Sequence, residues 1–453
     1  MKTRFFTSLI ILLFTCHLLP AQVWEERTPP FANTTMYLQP YATNDTTIWT
    51  YGFETDETGA FTFENYEIFR STNSGQSWQS ISFPHTEPGY LAGISALSDQ
   101  VAWIAYVDYA NGQKILKTLD GGQTWDDQPN GLTVWIDLVH FFNIASGVAM
   151  GDPNDDGFEI YTSGNSGASW DQVDPADIPP ALPGEYSYNS VFDVIGNKIW
   201  FETNLGRVYY SINQGYTWEV FEGPHGQTPF FMVAVDELEM CYVVYVTFDA
   251  SGLNPEFELF RTPDNGATWE DITPEDNDYR VDEIHPVPGT GAIIGSFSMG
   301  WDSGVYETRL SYDQGITWQT IDIGNHTLYQ NFYDANTGVA SGVIHTQDSS
   351  YFTVFNYIGS PLTGLLNREP LNVSLKVSPN PASDFARVQI TSPVAAECWL
   401  LLNDANGRLL HKEVIEKTDQ WNTSIDMRDL PAGVYTVTVS NAEGMVVQKV
   451  VKQ

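Results

Sequence analysis

One phrase of eight residues occurs six times in this chain of 453 residues, and its even spacing constrains the fold more than any other feature. The phrase reads Ser/Thr-x-Asp/Asn-x-Gly-x-Ser/Thr-Trp, and its copies occupy residues 71–78, 118–125, 163–170, 211–218, 262–269 and 311–318. The closing tryptophans lie 45 to 51 residues apart. This period favours one four-stranded propeller blade per copy over a helical repeat.

Each residue type in the phrase has a local structural role. The Asp or Asn side chain is expected to accept backbone N–H groups two residues further on, and the Gly suits a turn position with positive φ. The Trp is expected to wedge between neighbouring sheets. The phrase resembles the Asp-box, or BNR, repeat of sialidases, sortilin-type receptors and related propellers. We therefore expect structural roles for the third residue of each copy: Asn73, Asp120, Asn165, Asn213, Asp264 and Asp313.

The repeats predict an all-β fold with a ring of blades. In the third repeat, strands are expected over residues 134–142, 147–151 and 158–161, with Trp170 opening a fourth. After the sixth phrase, residues 327–334, 338–345 and 351–357 supply three strands, and a fourth is missing. Residues 23–27 resemble the segment that follows each phrase, so they are expected to complete a seventh blade by pairing with residues 351–357. Six blades remain the alternative.

The two ends of the chain point to export. A basic start, an apolar stretch from Phe5 to Leu19 and the sequence Pro20-Ala21-Gln22 predict a signal peptide at residues 1–21. At the other end, an S-P-N-P-A sequence, a D-x-x-G-R turn, an L-P-x-G-x-Y turn and a basic terminus follow in order. This region resembles the type A C-terminal sorting domain of type IX secretion in Bacteroidetes, while its alternating strands independently suggest a small Ig-like β-sandwich. The predicted domains are the propeller at 22–358, a linker at 359–371 and the sorting domain at 372–453.

Charge and cysteine content exclude several classes of protein. The formal net charge is −37, and most of the acidic excess precedes residue 371. Such a surface repels nucleic acid and anionic lipid and favours cations or a basic partner, although solubility alone is an equally good reason for it. Only three cysteines are present, so a disulfide framework is not expected. No transmembrane segment is expected after the signal peptide.

Binding residues are expected on the loops that join the second and third strands of a blade or connect successive blades. These loops are long, acidic and aromatic, a composition that suits stacking on sugar rings and acceptance of hydroxyl hydrogen bonds. The candidates are Tyr109, Phe158, Tyr188, Trp301 and Asp302. For any one loop, an ordinary solvated surface is the competing interpretation.

One loop also suggests calcium. Asp152, Asn154 and Asp156 place oxygen ligands at alternate positions before a Gly, as in the first half of an EF-hand loop. Ser163 stands where the closing Glu is needed, and Pro153 favours a plain turn. Calcium is therefore the one cofactor to test, and no other is indicated.

The function expected from these patterns is non-catalytic binding of an extracellular glycan or protein. The alternative is a glycoside hydrolase or lyase, for which Asp282, Glu283 and Glu185 are the candidate carboxylates. Sialidase activity is disfavoured because only seven arginines lie between residues 22 and 370, and an acidic pocket would repel an acidic sugar. The expected location is the outer-membrane surface or the medium, reached through the type IX secretion machinery.

Overall fold

The computed structural model describes residues 22–31, 36–55, 61–84, 89–129, 131–133, 135–229, 232–248, 255–274, 279–299, 304–345, 350–362, 373–403, 409–428, 430–441 and 444–453. Within them the chain forms seven four-stranded antiparallel sheets and one five-stranded sheet. The seven sheets are the blades of a propeller, so the seven-bladed prediction is confirmed. The predicted signal peptide and most of the predicted linker lie outside the described residues, so both stay predictions.

The first described strand, β1 (Trp24–Glu26), belongs to the last blade, and the blades then follow in chain order. Blade 1 contains β2 (Met36–Ala42), β3 (Ile48–Thr55), β4 (Phe61–Ser71) and β5 (Gln79–Ile81). Blade 2 contains β6 (Gly89–Ala96), β7 (Ala102–Asp108), β8 (Gly112–Thr118) and β9 (Asp126–Gln128). Blade 3 contains β10 (Ile136–Phe141), β11 (Gly147–Asn154), β12 (Gly157–Ser163) and β13 (Asp171–Gln172).

The remaining blades repeat this order. A 3₁₀ helix (Pro175–Asp177) precedes blade 4, which contains β14 (Ser187–Ile195), β15 (Lys198–Thr203), β16 (Arg207–Ser211) and β17 (Glu219–Glu222). Blade 5 contains β18 (Met232–Val235), β19 (Cys241–Phe248), β20 (Pro255–Thr262) and β21 (Glu270–Asp271). Blade 6 contains β22 (Arg280–Val287), β23 (Ala292–Ser298), β24 (Tyr306–Ser311) and β25 (Gln319–Ile323), and blade 7 contains β26 (His326–Phe332), β27 (Gly338–His345) and β28 (Ser350–Tyr357).

The predicted closure of the ring is confirmed. β1 pairs antiparallel with β28, in a register that places Trp24 opposite Tyr357 and Glu26 opposite Phe355. The N-terminal strand therefore supplies the fourth strand of blade 7, and the pairing joins the two ends of the propeller into a closed ring.

Because successive strands of each blade run in opposite directions, the connections between them lie alternately on two faces of the propeller. Turns between first and second strands, and the six Asp-box turns, lie on one face, which we call the box face. Connections between second and third strands, and between successive blades, lie on the opposite face, which we call the loop face. The cores lie between adjacent blades, as where Trp103 of blade 2 stacks on Phe141 of blade 3 with ring centroids 3.6 Å apart.

The six Asp boxes share one hydrogen-bond pattern, and it differs in register from the expectation. In the third box, Asn165 Oδ1 accepts the backbone N–H of Ser169, four residues further on rather than two, at 2.9 Å. The hydroxyl of Ser163 accepts the N–H of Gly167 at 2.9 Å and donates to Asn165 Oδ1 at 3.1 Å. The acceptor bonds a residue further along the chain because the fourth and fifth residues of the box, Ser166 and Gly167, both adopt positive φ. The turn is therefore two residues longer than expected.

The residue before a box ties its blade to the next one. Arg70 donates to the carbonyl oxygen of Gly121 at 2.8 Å, and Arg261 donates to that of Gln314 at 2.9 Å. Lys117 donates to Ser166 Oγ at 2.6 Å. Each acceptor is the fourth residue of the following box, so the repeated phrase links neighbouring blades as well as closing its own turn.

Replacing Asn165 with Ala is expected to lower the free energy of unfolding by about 1 kcal/mol, because the turn loses its side-chain acceptor, and to leave ligand binding unchanged. Urea unfolding followed by circular dichroism measures the change. Gly164→Ala is the matched control, since a methyl group on this exposed neighbour would meet no other atom within 4 Å and its φ is not positive. Equal stability of the two variants would contradict a structural role for the box.

The C-terminal region has a core of its own. It contains β29 (Ser374–Ser378), β30 (Phe385–Asn403), β31 (Leu409–Asp426), β32 (Gly433–Asn441) and β33 (Gly444–Lys452). Bulges between Thr391 and Cys398 divide the long β30–β31 hairpin into two halves. β29 pairs with the first half of β30 and β32 with the second, while residues of both halves share one buried cluster. The region predicted as a small sandwich is thus a single five-stranded sheet, in which both halves of the bulged hairpin contribute to one core.

Candidate functional site

An aromatic group lies on the loop face beside blades 2 and 3. Tyr109, in the turn between β7 and β8, is 51% exposed, and its ring centroid lies 6.0 Å from that of Trp135. Trp135 immediately precedes β10 and also contacts Tyr90, with centroids 5.4 Å apart. The three rings form one contiguous aromatic group next to the start of an inner strand, in which Tyr90 is buried and Tyr109 is the most exposed.

A second aromatic pair lies at the start of blade 4. Tyr186 is 47% exposed and meets Tyr188 edge to face, with ring centroids 5.7 Å apart. The backbone N–H of Tyr186 donates to Asn204 Oδ1 at 2.8 Å, and its carbonyl accepts the N–H of Asn204. This exchange with the turn between β15 and β16 holds the pair in place.

Two carboxyl groups and a serine connect the two aromatic groups. Ser187 Oγ donates to Asp137 Oδ2 at 2.5 Å, and the backbone N–H of Ser187 donates to the Asp152 carboxyl. The N–H of Asp152 in turn donates to the carbonyl of Trp135 at 2.9 Å. Asp137 occupies a bulge between Ile136 and Leu138, which directs its side chain out of the regular alternation of β10.

The electrostatics of the two carboxyl groups favour protonation. Burial raises the pKa of Asp137 well above its usual value, the charge of Asp152 raises it further, and the Ser187 hydroxyl lowers it. Burial also raises the pKa of Asp152, whose Oδ1 is buried with no hydrogen-bond partner among the described residues. The pair therefore offers both a donor and acceptors to a ligand. We call Tyr90, Tyr109, Trp135, Asp137, Asp152, Tyr186, Ser187 and Tyr188 the loop-face patch.

Two of the aromatic binding residues expected from the sequence, Tyr109 and Tyr188, belong to this patch, and Phe158 does not. Phe158 is only 3% exposed and packs against Phe201 and Tyr209 in the core between blades 3 and 4. Its expected place on the surface is wrong, because β12 turns this side chain towards blade 4. Trp301 and Asp302 lie outside the described residues.

The three residues expected to hold calcium have separate partners. Asp152 faces Ser187, whereas Asn154 Oδ1 accepts the backbone N–H of Asp156 at 2.8 Å within the β11–β12 turn. Asp156 is exposed at the tip of that turn. In the described part of the chain, no group of three or more His, Cys, Asp or Glu side chains is placed to hold a metal ion. The described geometry therefore gives the calcium prediction no support.

Glu185 is an ion-paired residue beneath the loop that leads into blade 4. Its Oε2 lies 2.7 Å from Arg207 Nη1, and its side chain is fully buried. Its Oε1 accepts the hydroxyl of Thr203 at 2.8 Å, and Oε2 also accepts the N–H of Leu182. These partners occupy both oxygens, so the surroundings of Glu185 are those of a residue that anchors a loop.

Asp282 and Glu283 lie on β22, the inner strand of blade 6. Asp282 Oδ1 pairs with Arg280 Nε at 2.5 Å, and its Oδ2 lies 3.9 Å from His326 Nε2. Glu283 Oε1 accepts the backbone N–H of Gln330 at 2.9 Å. Burial raises the pKa of Glu283 to about 8, opposed by the N–H groups of Gln330 and Tyr329 and supported by the charge of Asp282.

Both residues border a cavity of about 780 Å³ in the central channel. Inner strands of all seven blades line it, and residues of the C-terminal sheet such as Asn403 and Thr438 border it as well. Most of its lining comes from the ends of the inner strands and the turns that follow them, so it occupies the box-face half of the channel. The loop-face patch and the cavity are therefore two different places on the propeller.

Comparison with known proteins supports this organisation. A family described as the secretion system C-terminal sorting domain matches residues 376–453. The xyloglucanase Xgh74A of Acetivibrio thermocellus is 27% identical over 271 residues, which cover 56% of this chain but only 28% of the enzyme. The chain thus spans less than a third of this curated relative.

Solved structures resemble the propeller. The structure of YCF48 bound to D1 peptide superposes with a TM-score of 0.52 and 14% identity, over 76% of this chain and 99% of that chain. YCF48 from Cyanidioschyzon merolae gives a TM-score of 0.51 and 12% identity, over 74% of this chain and 98% of that chain. At such low identity these likenesses concern the fold alone.

The repeat, the closed ring and the C-terminal match define the class. This chain is a β-propeller of the Asp-box, or BNR, type. It carries a C-terminal sorting domain of the type IX secretion system, which directs it to the medium or the outer-membrane surface. No helix in the described part of the chain has the length and apolar character to cross a membrane.

Sequence reasoning missed Trp135, Asp137, Tyr186 and Ser187 in the patch. An alignment of the inner strands would have provided a signal, because Asp137 and Asp282 both occupy the bulge near the start of their strand. Ser187 and His326, which approach these two carboxyl groups, are each the first residue of the next inner strand. The repeat thus places a polar pair between adjacent inner strands in two separate parts of the ring.

Proposed function

We propose that this protein is an extracellular carbohydrate-binding propeller and that its ligand lies across the loop-face patch. The observation that supports this most directly is the placement of two exposed aromatic groups on either side of Asp137, Asp152 and Ser187. Aromatic rings stack on the apolar faces of sugars, while carboxyl and hydroxyl groups between them hydrogen-bond sugar hydroxyls.

The charge of the protein narrows the ligand class. The formal net charge of −37 opposes binding of an acidic sugar. A neutral polysaccharide avoids this repulsion. Xyloglucan is the first ligand to test, because the similar protein Xgh74A is by name a xyloglucanase.

Replacing Trp135 with Ala is expected to weaken binding of xyloglucan oligosaccharides at least tenfold, since the ring bridges Tyr90 and Tyr109. The measurement is isothermal titration of the chain from residue 22 to 453, after a glycan array has confirmed or replaced the ligand. Tyr216→Ala is the matched control, because Tyr216 is 49% exposed in an Asp box on the opposite face. Undiminished binding by the Trp135 variant would rule out the patch as the binding site.

Two other outcomes would change the proposed function. Binding of peptides but of no glycan would identify a protein ligand instead, and the structure of YCF48 with a D1 peptide makes this a reasonable comparison. Release of reducing ends from a polysaccharide, abolished by Asp137→Asn, would identify a glycoside hydrolase. Both assays use the same purified protein, so one set of experiments distinguishes glycan binding, peptide binding and glycoside hydrolysis.

A further inference from the structure

The central channel has the size and lining of a small-molecule site. Its cavity measures about 780 Å³, within the range of about 300 to 1,000 Å³ that is usual for such sites. Its aromatic lining includes Tyr41, Phe192 and Tyr329, which come from three different blades. Tyr41 and Tyr329 are each 37% exposed although they lie inside the ring, and both border this cavity.

Three titratable residues that border this space, His140, His285 and Glu283, are neutral near pH 7. Burial lowers the pKa of His140 and of His285 to about 4, which leaves both imidazoles uncharged. His285 Nε2 accepts the backbone N–H of Phe332 at 3.3 Å, so its proton resides on Nδ1 and is available as a donor. Glu283, with a pKa of about 8, is a protonated acid at neutral pH and a further donor.

The other acidic residues of the lining already have partners. Asp193 accepts the backbone N–H of Val235 at 2.6 Å, and Glu237 accepts that of Gly289 at 2.6 Å. Asp236 accepts two N–H groups in the turn after β18, and Asp282 is paired with Arg280. These carboxylates are engaged in holding turns and strands, so the groups left for a ligand are aromatic rings and neutral donors.

We propose that the channel is a second ligand site, which takes an uncharged, hydroxylated ring compound of the size of a monosaccharide or an aryl glycoside. Tyr41 and Tyr329 contact the faces of its rings, while Glu283 and His285 donate hydrogen bonds to its oxygens. An ion would have to give up its hydration, an anion would also meet the acidic residues of the lining, and a cation would find those carboxyl groups already engaged, which together disfavour a charged ligand. This site shares no residue with the loop-face patch and does not depend on the function proposed for it.

The test uses glucose, cellobiose and phenyl β-glucoside as probes, with binding followed by saturation-transfer NMR and isothermal titration on the chain from residue 22 to 453. Phenyl β-glucoside is expected to bind most tightly of the three because it adds an aromatic ring. Tyr41→Ala is expected to weaken the binding of phenyl β-glucoside at least tenfold, whereas Trp135→Ala is expected to leave this binding unchanged. Absence of binding by all three probes, or equal binding by the Tyr41 variant, would overturn the proposal.

The pH dependence of the affinity for phenyl β-glucoside provides a second test. A purely structural role of Glu283 would not produce the dependence expected here. Glu283 donates only while protonated, so affinity for the neutral probe is expected to fall as the pH rises through about 8. The titratable groups around it are Asp282 and His285 on its own strand, Tyr329 on β26, and Asp236 and Glu237 after β18. Burial raises the pKa of Tyr329 to about 12, His285 is already neutral, and the carboxyl groups of Asp236, Glu237 and Asp282 keep the partners described above.

Glu283→Gln isolates this contribution, because the amide keeps the shape and a donor but does not titrate. It is expected to bind the probe about as well as the wild type at pH 7 and to show a flat profile from pH 7 to 9. Circular dichroism confirms that the variant is folded. A fall in affinity above pH 8 that persists in Glu283→Gln would overturn the role of Glu283.

Discussion

Replacing Trp24 with Ala is expected to lower the free energy of unfolding by about 3–5 kcal/mol, because it removes the anchor of the strand that closes the ring. Trp24 is fully buried and meets Phe332 and Tyr357 edge to face. Its indole N–H donates to Thr308 Oγ1 at 2.9 Å, and its backbone N–H donates to Asp322 Oδ2. Since these partners belong to blades 6 and 7, the loss opens the ring at its seam.

Urea unfolding followed by circular dichroism measures this loss. Glu25→Ala is the matched control within the same strand, since the Glu25–Arg27 pair is partly exposed and surface pairs contribute at most about 1 kcal/mol. Trp24→Phe keeps most of the buried ring, so its free energy of unfolding is expected to lie between those of Trp24→Ala and Glu25→Ala. This variant keeps the prediction testable if Trp24→Ala does not fold. Equal stability of Trp24→Ala and Glu25→Ala would show that the seam does not limit the stability of the propeller.

Replacing Arg207 with Met is expected to cost about 3–5 kcal/mol, because it leaves the fully buried Glu185 carboxylate without its positive partner. Arg207 also lies over the ring of Tyr209, 5.0 Å from its centroid, so Met preserves part of the packing but none of the charge. The loop before β14 is expected to loosen, since Glu185 fixes it through the N–H of Leu182.

A double mutant separates the ion pair from the packing. Glu185→Met combined with Arg207→Met is expected to be more stable than Arg207→Met alone, because the unpaired buried charge disappears. A further variant, Glu185→Gln, tests whether Glu185 is catalytic. A Glu185→Gln protein that loses a hydrolytic activity while keeping its full stability would restore Glu185 as a catalytic candidate.

Much of the fold follows from the sequence for a local reason. The Asp box contains its own acceptors, glycine and turn, so the same eight residues adopt the same structure in six places. Only three strands follow the sixth box, so the last blade needed a fourth strand from elsewhere in the chain. The N-terminal strand fills this position, with Trp24 opposite Tyr357. The register within the turn was the one error here, because two successive residues with positive φ lengthen the reach of Asn165.

The candidate sites were predicted less well, because their geometry depends on contacts between blades. Phe158 follows an acidic turn and yet lies in the core. The sequence does not show which face of its sheet is covered by the neighbouring blade, and the structure places Phe158 on the covered face, against Phe201. Nothing in the local sequence around Glu185 indicates Arg207, which lies 22 residues away on another strand.

The repeat, the closing strand and the sorting domain could thus be predicted from the sequence alone. The box contains its own turn, the N-terminal segment resembles the strand that blade 7 lacks, and the C-terminal region carries an ordered set of motifs. The tertiary structure decided which acidic residues are paired and which face a ligand. Ser187 reaches Asp137 from fifty residues further along the chain, and Tyr41 and Glu283 border one cavity from blades 1 and 6. The first contact forms only when blades 3 and 4 pack side by side, and the second arrangement requires the ring, which brings the inner strands of distant repeats around a common channel.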